Sequence, residues 1–136
     1  MPLRINTALA NKMLDNVLNS GAGISALDSG VAEFRTGAQP ASADSAATGT
    51  IVSTVALAAD AFAAASARVC AKNGTLEDTS ADNTGTIGWV RFRDAADTYR
   101  LDADVTITGG GGTVTVDNPA LVASQDFLVT SCNITA

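Results

Sequence analysis

The chain reads as a mainly β domain, an antiparallel β-sandwich with the jelly-roll among its possible arrangements, led by one N-terminal α-helix. Three observations predict this. An apolar residue recurs every fourth position within the first 18 residues and nowhere else as cleanly. Short runs rich in Val, Ile, Thr and Phe follow, bounded by Gly, Asn, Asp and Ser. Within residues 86–105, two such runs alternate apolar and polar positions in step with each other.

The helix is expected over residues 3–18. Ile5, Leu9, Met13 and Val17 form its apolar stripe, and Leu14 and Leu18 widen it. Asn6 is a suitable N-cap, and Asn19-Ser20-Gly21 is a stop signal. Asn11, Lys12, Asp15 and Asn16 form the polar side. The stripe can close the chain's own core or dock on a partner. Residues 1–21 are therefore assigned to the helix and 22–136 to the β-sandwich, as one compact unit.

Strands are expected over residues 31–35, 50–57, 68–72, 113–116 and 126–135. Residues 58–67 are ambiguous, because Ala favours helix while the flanks favour extended chain. Residues 37–49 and 76–85 read as loops. The first is long for a compact domain, and such loops are usually functional or mobile. The tetraglycine at 109–112 reads as a flexible turn between strands. It lacks the Lys-Ser/Thr ending of a phosphate loop.

Residues 94–97 suit a four-residue hairpin loop. That register sets Arg93 against Thr98, Arg91 against Arg100 and Trp89 against Asp102. One face then carries Val90, Phe92, Tyr99, Leu101 and Ala103, and is the core face. The other carries Ile87, Trp89, Arg91, Arg93, Arg100, Asp102 and Asp104. Trp and Arg are frequent interface anchors, so Trp89, Arg91, Arg93, Arg100 and Asp102 are the candidate contact residues. Trp89 needs a cover. Either the chain supplies it, through the helix or a second sheet, or another subunit does.

Composition narrows the function classes. The net charge is −6, with only two lysines, which argues against a nucleic-acid partner. Of the hydrophobic residues 26 are Ala, so each core position buries little area; such a core can stand alone or rely on neighbours, and the composition is a weak pointer to assembly. The longest apolar stretch, 55–67, is interrupted by Asp60 and Ser66 and too weak to span a membrane. The first residues carry no apolar secretion signal. Cys70 and Cys132 read as buried free thiols.

The sequence contains no His, which removes Ser-His-Asp and Cys-His catalysis and His-based metal sites. Asp102 and Asp104 share one strand face, near enough to hold a cation together. Glu77, Asp78 and Asp82 cluster in a loop. Neither group has the ligand spacing of an EF-hand, and both read as structural or solvated acids. No enzyme activity, cofactor or metal is expected.

Residues 36–44 (TGAQPASAD), 79–92 (TSADNTGTIGWVRF) and 101–105 (LDADV), together with the Gly-rich link and the Thr-rich final strand, resemble small structural proteins of tailed bacteriophages. The resemblance covers residue 35 to the end, plus a leading helix of similar style. It implies a virion component, foremost a capsid decoration (cement) protein. Such a protein self-associates and binds the major capsid protein on the capsid surface, after assembly in the host cytoplasm. A neck or tail component, or a host-binding adhesin using the 37–49 or 76–85 loops, is the alternative. The resemblance assigns no binding residues.

Overall fold

The computed structural model describes residues 3–19 and 25–136. The expected helix stop at Ser20-Gly21 and the boundary between 21 and 22 lie outside these residues. Helix α1 spans Thr7–Leu18. Asn6 caps it, its side-chain oxygen accepting from the Leu9 backbone N–H at 2.9 Å. Nine strands follow: β1 Val31–Thr36, β2 Ile51–Ala56, β3 Val69–Ala71, β4 Leu76–Asp78, β5 Gly85–Arg93, β6 Arg100–Ile107, β7 Val114–Val116, β8 Ala120–Leu121 and β9 Phe127–Thr135. Two of these, β4 and β8, fall where loops or no element were expected. Both are too short for a period-2 pattern to register.

The strands form one sheet in the order β2-β1-β5-β6-β7-β9-β3, with β4 also on β9 and β8 on the start of β5. The sheet is mixed, which corrects the expectation of a wholly antiparallel one: β6 and β7 run parallel, with Val105 beside Val114 and Ile107 beside Val116. A parallel neighbour ordinarily requires a crossover of a dozen or more residues. Here residues 108–113 suffice, because Gly109 and Gly111 take the left-handed φ values +87° and +82°. Thr106 Oγ1 accepts from the Gly112 N–H at 3.0 Å, and Asp104 Oδ1 from the Thr113 N–H at 3.1 Å. The tetraglycine is thus a folded crossover rather than a loose turn.

The sheet curls until its two ends meet. Ser53 of β2 donates to Asp78 of β4 at 2.7 Å, and Thr54 donates to Asp82 at 2.9 Å. These are two of the three acids of segment 76–85, and their role here is to close the curl. Inside it, the four Phe side chains form two edge-on pairs. Phe34 of β1 meets Phe127 of β9 at 4.8 Å between centroids, and Phe62 meets Phe92 at 6.2 Å. Phe34, Val52, Val55, Val90, Phe92, Val114, Val116, Phe127 and Val129 form the fully buried centre. Large side chains from facing walls thereby fill a core that Ala could not.

The central hairpin keeps the predicted faces of residues 89–93 and 100–104 but not its predicted register, and Ile87, expected beside Trp89, turns into the core past a bulge at Gly88. Arg91 stands opposite Asp102, Trp89 opposite Asp104 and Arg93 opposite Arg100, two residues further along β6 than expected. The turn is longer because Asp94 Oδ1 accepts from the N–H groups of both Thr98 (2.7 Å) and Tyr99 (2.9 Å). A shift of two preserves the side on which each residue lies.

Candidate functional site

Two surfaces bear on function: the Trp and Arg face of the sheet, and the outer side of α1. On the first, β1, β5 and β6 lay residues in cross-strand rows. Glu33, Arg91 and Asp102 form one row, and Arg35, Trp89 and Asp104 the next. Arg91 forks onto Asp102, with Nε to Oδ1 at 2.7 Å and Nη2 to Oδ2 at 2.8 Å. Its guanidinium lies 5.4 Å from the Trp89 ring centroid. Glu33 accepts from Arg35 Nη2 at 2.8 Å and from Arg93 Nε at 2.7 Å. Burial pushes the Glu33 pKa up, but the two guanidinium groups outweigh it and hold the carboxyl below its ordinary value. Hydrogen bonding to Asp102 raises the pKa of Arg91 still further, so the guanidinium stays charged.

The chain itself covers this face. Segment 37–49 runs across it, and the Ser45 carbonyl accepts from Arg91 Nη1 at 3.0 Å. The Gly49 carbonyl accepts from Arg35 Nη1 at 3.3 Å. Trp89 is 0% exposed, and the side chains of Arg91 and Asp102 are 4% and 3% exposed. Of the two covers anticipated for Trp89, the intrachain one is present, though neither the helix nor a second sheet provides it. This corrects the expectation of Trp89, Arg91 and Asp102 as an open contact surface. Arg93 and Arg100 remain partly exposed, at 29% and 30% of their side chains, and Arg100 is tied to Asp97 at 2.7 Å. Asp102 and Asp104 do not act as a bare pair of acids, because Arg91 occupies the first and Thr113 the second. Hydrogen bonding to Thr113 lowers the pKa of Asp104.

The second surface was read differently in the sequence. Helix α1 buries Ala10, Leu14 and Leu18. Its polar side also faces the domain, Asn11 Oδ1 accepting from the Arg68 N–H and Asp15 Oδ1 from the Ala65 N–H, each at 2.7 Å. Those two bonds turn Leu14 and Leu18 of the stripe inward and leave its other edge outside. Leu9, Met13 and Val17 are left 50%, 51% and 45% exposed. Beside them opens a groove of about 540 Å³, lined by Met13, Val17, Tyr99, Leu101 and Ile134 among others. Tyr99, expected on the core face, is 48% exposed at its edge. Polar residues at positions 11 and 15 were the available signal, but periodicity alone cannot tell a solvated Asn or Asp from one bonded to a neighbouring backbone.

No family model, curated protein or solved structure matches this chain. Among the described residues, no group of three or more His, Cys, Asp or Glu side chains is placed to hold a metal ion. No described helix is long and apolar enough to cross a membrane. Cys70 and Cys132 are free and buried, and burial pushes their thiols up to about 11 and about 12. The arrangement offers packing surface and ion pairs, not an activated nucleophile.

Proposed function

We propose that this chain is a non-catalytic structural subunit of a tailed-bacteriophage virion, foremost a capsid decoration protein that self-associates and binds the major capsid protein. One observation carries the reading: the apolar stripe of Leu9, Met13 and Val17 stands open beside an apolar groove on the same face. Side chains of this kind gain free energy only when something covers them. The resemblance of residues 36–44, 79–92 and 101–105 to phage structural proteins supplies the setting. In this reading the curled sheet is the sandwich-like body of the subunit, and the α1 face is its grip on neighbouring subunits. The protein stabilises the shell by bridging capsomers and removing apolar surface from water.

The test is a deletion in the parent phage combined with quantitative mass spectrometry of wild-type particles. The expected result is a copy number comparable to that of the major capsid protein. Particles lacking the chain should lose infectivity faster on heating yet adsorb normally. A few copies per particle would place it in the neck or tail instead. Loss of adsorption, with purified protein binding host cells, would make it an adhesin.

A further inference from the structure

Segment 38–48 covers the only Trp in the chain while contributing no buried residue of its own. Its path is fixed at several points. The Gly37 carbonyl lies so close to Gly88 that a Cβ there would sit 2.0 Å from it. Gln39 borders the cavity that Asp102 and Asp104 line. Ser45 and Gly49 give their carbonyls to Arg91 and Arg35. Thr48 Oγ1 closes the segment on itself by donating to the Ala38 carbonyl at 2.8 Å. Every one of these bonds is to backbone. Beneath them, the Trp89 indole N–H is buried and has no acceptor among the described residues. A buried donor left unpaired is costly, and native proteins rarely tolerate one. The segment is therefore an imperfect occupant of the face it covers.

We infer that segment 38–48 is a displaceable strap over a second docking surface, formed by Arg35, Trp89 and Arg91. The occupant this surface fits is an extended, uncharged peptide backbone. It would replace the Ser45 carbonyl that the strap now gives to Arg91 and add an acceptor for the indole N–H. Three features support that occupant over a charged or aromatic one. The arginines' carboxylate needs are already met by Glu33 and Asp102 through Nε and Nη2, leaving Nη1 on each for a neutral carbonyl. The unmet group is a single N–H donor. The present occupant, rich in Ala and Ser, already binds by backbone alone. Opening is made inexpensive by the strap's lack of any core anchor and by its hinge at Gly49, whose φ is +74°. The strap also meets the α1 groove, which Ala43 and Asp44 help to line, but the surface beneath it is separate from the Leu9, Met13 and Val17 stripe, and Thr48→Val and Met13→Asp test the two apart.

Trp89 reports directly. In the intact protein, the indole N–H should exchange with deuterium at a rate set by a local opening. It should be at least about tenfold faster than the Val90 and Phe92 amides, whose exchange requires unfolding of the sheet. Gly49→Ala forces an L-residue into the left-handed region, with its Cβ 1.9 Å from the Thr36 carbonyl oxygen. It should raise acrylamide quenching of Trp89 and speed indole exchange roughly tenfold. If Gly49→Ala fails to fold, Thr48→Val, which only removes the self-closing bond, serves in its place with a smaller effect in the same direction. An end-capped peptide of sequence 38–48, added to the opened variant, should restore protection of Trp89, whereas the same peptide with the Ser45–Ala46 amide replaced by an alkene isostere, which lacks the carbonyl that Arg91 needs, should not. Indole exchange that coincides with global unfolding in both wild type and variant would overturn the strap. Quenching unchanged by the unmodified peptide would overturn the docking surface.

Discussion

At the scale of single residues, the buried charges are the least replaceable part of the molecule. Arg91 and Asp102 are both nearly inaccessible and satisfy each other through a fork. Asp102→Asn leaves a buried guanidinium without its counter-charge, and losing one partner of such a pair costs about 3–5 kcal/mol. Urea denaturation should show that loss as a lower midpoint with an unchanged slope. Trp89→Ala should cost about as much through the cavity it leaves. Neither variant can serve as a clean probe of assembly. Glu33 sets an acid limit. Its carboxyl titrates below the ordinary value of 4.5 in the folded chain, so its contribution is full above that value and is lost as pH falls through the lower folded one. Stability measured from neutral to strongly acidic pH should fall across that window, and Glu33→Gln should flatten this part of the curve. The thiols behave in the opposite sense. Their folded pKa values lie above the ordinary 9.0, so stability is complete below that value and declines as pH rises toward about 11 for Cys70 and about 12 for Cys132. Native protein at mildly alkaline pH should resist alkylation at both cysteines until it unfolds.

At the scale of elements, legibility followed period and length. The helix and its Asn6 cap were readable because 12 residues repeat one pattern. The faces of the β5–β6 hairpin were readable over residues 89–93 and 100–104, where two strands agree on them, and not at Ile87, which a bulge turns inward, or at Tyr99, which the longer turn leaves half exposed. Its register was not, because one carboxylate, that of Asp94, adds two residues to the turn. The parallel β6–β7 pair was not legible at all, since connection length normally forbids it. Only the glycines' left-handed conformations and the side-chain bonds from Thr106 and Asp104 make the six-residue crossover possible. Gly111→Ala meets no atom within 4 Å, so its whole effect is the strain of an L-residue at φ +82°. That strain is about 1–2 kcal/mol. The expected lowering of the urea midpoint should be matched by faster amide exchange in β7, whose pairing depends on the crossover.

At the scale of the whole molecule, the open question is what lies against α1. The helix is held by two polar bonds and a narrow buried stripe, so its exposed side can change without disturbing the fold. Each half-exposed side chain there still has roughly 1 kcal/mol to gain from complete burial. Three of them, with the groove lined by Tyr99, Leu101 and Ile134, suffice to bias association, though not to make a tight dimer alone. Met13→Asp places a charge at the centre of the stripe. It should leave the thermal midpoint within a degree or two, because Met13 is already 51% exposed. It should weaken self-association, or binding to capsid shells, at least about tenfold, read by sedimentation of the variant against wild type. Leu14→Asp is the contrast, since Leu14 is buried one residue away on the same helix. It should unfold the packing of α1 and lower the midpoint strongly. If Met13→Asp and wild type sediment alike with shells and with themselves, the α1 face is not the grip, and the surface beneath the strap becomes the place to look.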